Sequence, residues 1–238
     1  MPDSNSTPSL CAFCGRPLIA RTVSLNGTTI PCGYVPCGCE GEQAAVKASA
    51  EAETAKRYAQ LRSARIAAGV PERYADATDD NAATFAAKVA QGRGMYIVGS
   101  VGTGKTHLAA AICRELQGLG KTFQMASSVA ILERYRACFD GTGNEADVTS
   151  KLCGVGVLVI DDLGKESPTD WAGEKLFRII DERYNRSRPV IITTQFERPA
   201  LIKRLSRGGD AENAVALVSR LCEMCGTVRM NGADRRLQ

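Results

Sequence analysis

Eight residues, Gly99-Ser100-Val101-Gly102-Thr103-Gly104-Lys105-Thr106, constrain this chain more than any other stretch. They follow Met95-Tyr96-Ile97-Val98, which reads as a short buried strand, and precede an Ala-rich run from His107 to Leu116 that reads as a helix. A strand that turns through glycines into a helix aims several backbone N–H groups, and the positive end of the helix dipole, at one point. Phosphate groups bind at such a point. The glycines permit close backbone approach and left-handed torsions, Lys105 can reach the β- and γ-phosphates, and the Thr106 hydroxyl can ligate Mg2+. The expected nucleotide-binding set is Gly99, Ser100, Val101, Gly102, Thr103, Gly104, Lys105 and Thr106, with His107 beside it. Packing within a helix is the ordinary role for a histidine there, as it is for Trp171.

Hydrolysis also needs a carboxylate that holds the metal and a group that orients water. Val157-Leu158-Val159-Ile160 reads as a buried strand, so Asp161 emerges at its carboxyl end as metal holder and Asp162 follows as the residue that polarises water. A further strand, Pro189–Thr193, runs into Thr194-Gln195, where polar groups can reach the γ-phosphate or the water from the far side. With a strand at Thr122–Ala126 and helices at Thr106–Leu116, Val129–Phe139, Trp171–Asn185 and Pro199–Leu205, the pattern alternates strand and helix. The strand runs lack period-two alternation, as parallel strands covered on both faces should. The expected fold is α/β, a parallel sheet flanked by helices with nucleotide at the carboxyl ends of the strands. Gly141–Thr149 and Ser206–Asn213 read as surface loops.

Apolar content of 44 % and charged content of 24 % are those of a soluble globular chain. No apolar run approaches the roughly 20 residues of a membrane span. Met1 to Ser9 is polar and lacks the basic flank and apolar core of a secretory signal, so a cytoplasmic location without membrane partners is expected. The net charge of +4 permits nucleic-acid binding without arguing for it. Twelve lysines and arginines do gather between Arg178 and Arg236, either as solvated helix faces or as phosphate, DNA and subunit contacts.

Ten cysteines in a cytosolic chain are not a disulfide framework, and half of them fall in the first 39 residues. Cys11-x-x-Cys14 and Cys37-x-Cys39 flank a turn-rich insert and have the spacing of a zinc knuckle or ribbon. The single histidine belongs to the phosphate loop, so a tetrahedral Zn2+ site here would be all cysteine. The expected ligands are Cys11, Cys14, Cys37 and Cys39, with Cys32 able to replace one of the last two. Residues 10–40 read as loop-like and too short for an apolar core, so bound metal would supply their folding free energy. Cys113, Cys138 and Cys153 read as small core residues; Cys222-x-x-Cys225 lacks a second pair near it.

Glu42 to Ala68 is rich in helix formers with a thin apolar stripe, and Gly69 and Pro71 punctuate its end. The expected organisation is residues 1–41 as a zinc-binding module, 42–69 as a connecting helix and 70–238 as the nucleotide domain.

Pro71-Glu72-Arg73-Tyr74, the phosphate loop, Asp161-Asp162-Leu163-Gly164-Lys165-Glu166, Ile180-Asp181-Glu182-Arg183-Tyr184, Thr193-Thr194-Gln195, Ser219-Arg220-Leu221 and Gly232-Ala233-Asp234-Arg235-Arg236 occur in that order. In this, residues 70 to 238 resemble the DnaC/IstB branch of AAA+ ATPases. The resemblance implies an AAA+ fold and a replicative-helicase loader that binds ATP·Mg2+ and single-stranded DNA, or alternatively an IstB-like ATPase that assists a transposase on duplex DNA. It places ATP·Mg2+ on Lys105, Thr106 and Asp161, and water activation on Asp162. The first sensor, an Asn in the family, is Gln195 here, one methylene longer. An arginine finger acting on a neighbouring subunit falls on Arg220, which makes self-association ATP-dependent, and a second sensor falls on Arg236 or its neighbour Arg235. A cysteine-rich N-terminal region that docks on a DnaB-type hexameric helicase is also implied. The Asp-Asp-Leu-Gly signature and the cysteine module speak against a metabolic kinase.

Overall fold

A computed structural model describes residues 9–25, 28–140, 143–209 and 211–234. The chain divides into two compact units, Met1–Leu61 and Arg62–Gln238.

In the first unit, β1 (Ala20–Leu25) and β2 (Thr28–Tyr34) form an antiparallel hairpin with Val23 opposite Ile30. This corrects the loop-like reading of residues 10–40. The hairpin follows from Thr22-Val23-Ser24-Leu25 and Thr28-Thr29-Ile30, whose β-branched side chains suit a pleated ribbon. It escapes a search for core because Val23, Leu25 and Ile30 all stay exposed. A helix, α1 (Glu40–Ala67), begins after the second cysteine pair and runs past the division at Leu61.

The end of α1 shows why its thin apolar stripe suffices. Its buried residue is Arg65, whose guanidinium donates to the Ala75 carbonyl at 2.7 Å and to Gln117 Oε1 at 2.8 Å, and pairs with Asp76 at 3.2 Å. Gly69 then closes the helix in the left-handed conformation (φ +95°), its N–H reaching the Ile66 carbonyl while the Val70 N–H reaches that of Arg65. These two bonds are a Schellman cap. A Cβ on Gly69 would also collide with the backbone oxygen of Met125. Gly69→Ala is therefore expected to cost at least ~2 kcal/mol, strain and overlap adding, as read from urea denaturation midpoints. A loss under half that size would mean that the cap is dispensable.

In the second unit, five strands lie in the order β4 (Phe123–Ser127), β5 (Val157–Leu163), β6 (Val190–Thr194), β3 (Gly94–Gly99), β7 (Cys225–Met230). Every neighbouring pair is parallel. The apolar runs explain themselves, because alternate residues of one strand enter different cores. Val157 and Val159 meet α2 (Ala82–Ala90) and α3 (Lys105–Gly118) in one core. Leu158 and Ile160 meet α4 (Ser128–Arg136), α5 (Glu145–Gly154), α6 (Asp170–Asn185), α7 (Arg198–Leu205) and α8 (Ala211–Met224) in the other.

Two loop expectations are corrected. Gly141–Thr149 contains the first half of α5, capped by Asn144, whose side chain accepts from the Ala146 N–H at 2.8 Å. Ser206–Asn213 contains a short 3-10 turn and the start of α8, whose buried Ala214, Leu217, Val218 and Leu221 recur at helical spacing. Of the cysteines expected in the core, Cys113 and Cys153 are buried and Cys138 is only half-buried.

Candidate active site

The loop after β3 opens α3, with Gly102 (φ +75°) and Gly104 (φ +95°) in left-handed conformations. It is braced internally by the Ser100 carbonyl, which accepts from Thr103 Oγ1 at 2.9 Å and from Lys105 Nζ at 2.7 Å. Its glycines also answer to their neighbours. A Cβ on Gly99 would strike the Met230 backbone, and one on Gly102 the Asp234 carboxylate.

Where β5 ends, Asp161 turns toward α3. Its carboxylate accepts from Thr106 Oγ1 at 3.0 Å and from Thr193 Oγ1, at the end of β6, at 2.6 Å. Burial raises its pKa above the ordinary carboxylate value, and the hydrogen bond from Thr193 works in the opposite direction. A half-buried carboxylate beside a threonine hydroxyl supplies the hard oxygen donors that Mg2+ takes, while leaving room for phosphate oxygens and water.

Asp162 is held differently. Its backbone sits at φ +55°, uncommon for a non-glycine residue, and the β5–β6 register breaks between Ile160 and Leu163. Three contacts hold it there: its N–H donates to Thr193 Oγ1 at 2.9 Å, and its carbonyl accepts from Ser128 Oγ and from the Lys165 N–H, each at 3.1 Å. Its carboxylate meets Lys165, whose ammonium lies 3.1 Å from Oδ2.

These groups surround a cavity of about 370 Å3 lined by Tyr74, Val101, Gly102, Gly104, Lys105, Thr106, His107, Asp162, Lys165 and Gln195. Val101, Gly102, Gly104, Lys105, Thr106, His107, Asp162 and Gln195 are thus brought to one hollow, with Asp161 bonded to its Thr106 wall, whereas Gly99, Ser100 and Thr103 do not line it. Arg220 does not line it. It pairs with Asp181 at 2.7 Å and stacks on Phe177 (4.8 Å) and Tyr184 (5.7 Å). Arg235 and Arg236 lie outside the described residues.

Three residues of this site stand in the motifs read from the sequence but receive no individual role there. Thr193 shows in sequence as a polar strand end, yet its hydroxyl serves the two acids. Tyr74 meets the His107 ring edge-on at 5.8 Å, with the Arg73 guanidinium 4.5 Å from its centroid. No local pattern marks such a pairing across more than thirty residues. Lys165 stands in sequence only as part of the Asp161–Glu166 motif, with no role of its own.

In the first unit, the sulfurs of Cys11, Cys14, Cys37 and Cys39 all lie within 4.8 Å of one another. The Cys14–Cys37 separation is 3.3 Å and the Cys11–Cys39 separation 3.8 Å, near the ~3.8 Å edge of a tetrahedron with Zn–S bonds of ~2.3 Å. Gly15 (φ +70°) and Gly38 (φ +71°) turn the chain beside each pair. The backbone N–H of Arg16 leads in pulling the Cys14 thiol down to about 7, while the hydrogen bond with Cys14 leads in pushing Cys37 up to about 12, so the pair favours one thiolate beside one thiol before a metal binds. Cys32, on β2, stands outside this group.

A family model described as IstB-like ATP binding protein matches residues 42–238. The replicative helicase loader DnaC of Escherichia coli (strain K12) is 30 % identical over 133 residues, 56 % of this chain and 50 % of that protein. The replicative helicase loader DnaI of Bacillus subtilis (strain 168) is 26 % identical over 154 residues, 61 % of this chain and 48 % of that one. The chain therefore spans about half the length of these curated relatives. Among solved structures, a DnaI crystal structure superposes with a TM-score of 0.60 at 22 % identity, covering 68 % of this chain and 95 % of that one. A DnaC helicase loader superposes at 0.55 with 26 % identity, covering 68 % and 100 %. Among the described residues, no helix is long and apolar enough to cross a membrane.

Proposed function

This chain belongs to the family of IstB-like ATP binding proteins, and from that premise we propose that it is an ATP-dependent loader of a hexameric, DnaB-type replicative helicase. The observation that carries the catalytic half of the reading is Thr106 Oγ1 at 3.0 Å from Asp161, directly beneath a loop shaped for phosphates. Thr106 and Asp161 would hold Mg2+, which would supply charge neutralisation on the β- and γ-phosphates. Lys105 and the α3 N-terminus bind those phosphates, Asp162 takes the proton of the attacking water, and Gln195 orients that water. Tyr74 and His107 form the wall farthest in character from the phosphates, an aromatic edge suited to a purine ring. Arg220 acts on the nucleotide of a neighbouring copy, and Arg236 or Arg235 serves as the second sensor. The surface beside Arg220 suits a neighbour, since Ala211, Val215, Ala216 and Ser219 line a hollow of about 520 Å3.

Single-stranded DNA binding has a physical basis in an aromatic pair of which Phe139 is exposed and Trp171 half-buried against the core. Phe139, 66 % exposed, lies 5.9 Å from Trp171, over which the Arg136 guanidinium sits at 5.3 Å. Unstacked bases bind such rings, and the arginine adds phosphate attraction. Residues 1–41 act as a zinc-binding helicase-docking module, 42–69 as its connecting helix and 70–238 as the ATPase domain. The full chain is expected to hold one Zn2+, measured by metal analysis after dialysis, and Cys14→Ser to lose most of it. Retention of a full equivalent by that variant would remove the cysteine site.

Co-purification with the replicative helicase, with and without ATP, tests the function. The parent should form the complex and Lys105→Ala should lose its nucleotide response. Failure to capture helicase, with capture of a transposase instead, would favour the IstB-like alternative on duplex DNA.

A further inference from the structure

We propose that Lys165 is a γ-phosphate-sensing residue that shields Asp162 until a triphosphate arrives. The inference rests on the nucleotide reading above and deepens it. Lys165 lines the same cavity as Lys105 and Thr106, which makes it a second ammonium in a hollow built for phosphate. Its Nζ is 3.1 Å from Asp162 Oδ2, and its side chain is 64 % exposed. An ion pair this open is weak and geometrically labile, and a lysine is a flexible point charge that can exchange partners by rotation alone.

The two partners differ in freedom. Asp162 is fixed by Thr193, Ser128 and its own left-handed backbone, whereas Lys165 is held by little beyond the pair and its place in the chain. A γ-phosphate carries more charge than a carboxylate and offers three oxygens, so it outcompetes Asp162 for the ammonium. ADP lacks that group and leaves the pair intact. Transfer of Lys165 frees Asp162 Oδ2 to accept a proton from water, so the base is exposed only when there is a bond to break. Gln195 lines the same part of the cavity and remains to orient the water.

The test is competition of ATP and ADP against a fluorescent ADP analogue on the full chain, comparing the parent with Lys165→Met and Lys165→Arg. Lys165→Met should weaken ATP by about five- to twentyfold and change ADP by less than about twofold, and Lys165→Arg should restore most of the ATP affinity. Equal weakening of both nucleotides, or of neither, overturns the proposal while leaving the nucleotide site standing. Failure of the parent to bind either nucleotide overturns the underlying reading, and this one with it.

Discussion

Replacing Lys105 by alanine should lower ATP turnover by about 10²- to 10³-fold, the usual cost of deleting one preorganised charge-stabilising donor. Lys105 is buried, begins α3 and donates to the Ser100 carbonyl from inside the loop, so its ammonium is already placed before nucleotide enters. The other lysine that lines the cavity, Lys165, is exposed and paired with Asp162, so it cannot stand in for that placement. The substitution should leave the urea midpoint within about 1 kcal/mol of the parent, because the loop keeps its Thr103–Ser100 bond. Phosphate release measured beside denaturation separates the two effects. Turnover within fivefold of the parent would mean that the phosphates lie elsewhere.

Arg183→Ala should have the largest effect on folding, about 3–5 kcal/mol, the scale of a large-to-small change in a core with lost hydrogen bonds added. The side chain is fully buried, and its guanidinium donates to the carbonyls of Leu152, Val155, Gly156 and Pro189 at 2.8–3.0 Å. It thereby ties the end of α5 to the entries of β5 and β6. Desolvation pulls its pKa down to about 10, so it stays charged at neutral pH. Truncation leaves four carbonyls, that of Leu152 buried and the others half-buried, without this donor and opens a cavity. The charge-conserving Arg183→Lys could not serve four carbonyls at once, since an ammonium has three donors and no planar fork. Because a domain is stable by only about 5–15 kcal/mol, the expected loss would be visible as a large drop in urea midpoint. A shift under 1 kcal/mol would refute the role.

What could be read in advance follows from the range of each interaction. The phosphate loop and the Asp161-Asp162 strand end are local patterns whose chemistry is set by neighbours in sequence, and the core strands announce themselves by apolar runs. Arg183 cannot be placed in this way: as one member of a basic cluster it resembles a surface charge, and only tertiary packing makes it a buried strut. The hairpin of Val23 and Ile30 lies on the surface, where burial patterns are silent. Edge strand β7 interleaves Gly226 and Arg229 with its apolar residues, so it carries neither a continuous run nor a clean alternation. Thr193, Tyr74 and Lys165 matter through partners brought near by folding, and residue type alone does not record those distances.

One hydroxyl at the tip of β6 fastens the two acids, donating to the first and receiving from the backbone of the second. The aims of the Asp161 and Asp162 carboxylates, the proposed metal holder and proton acceptor, are therefore geared together. A slide of this central strand by a fraction of an ångström would move both carboxylates in concert rather than one alone.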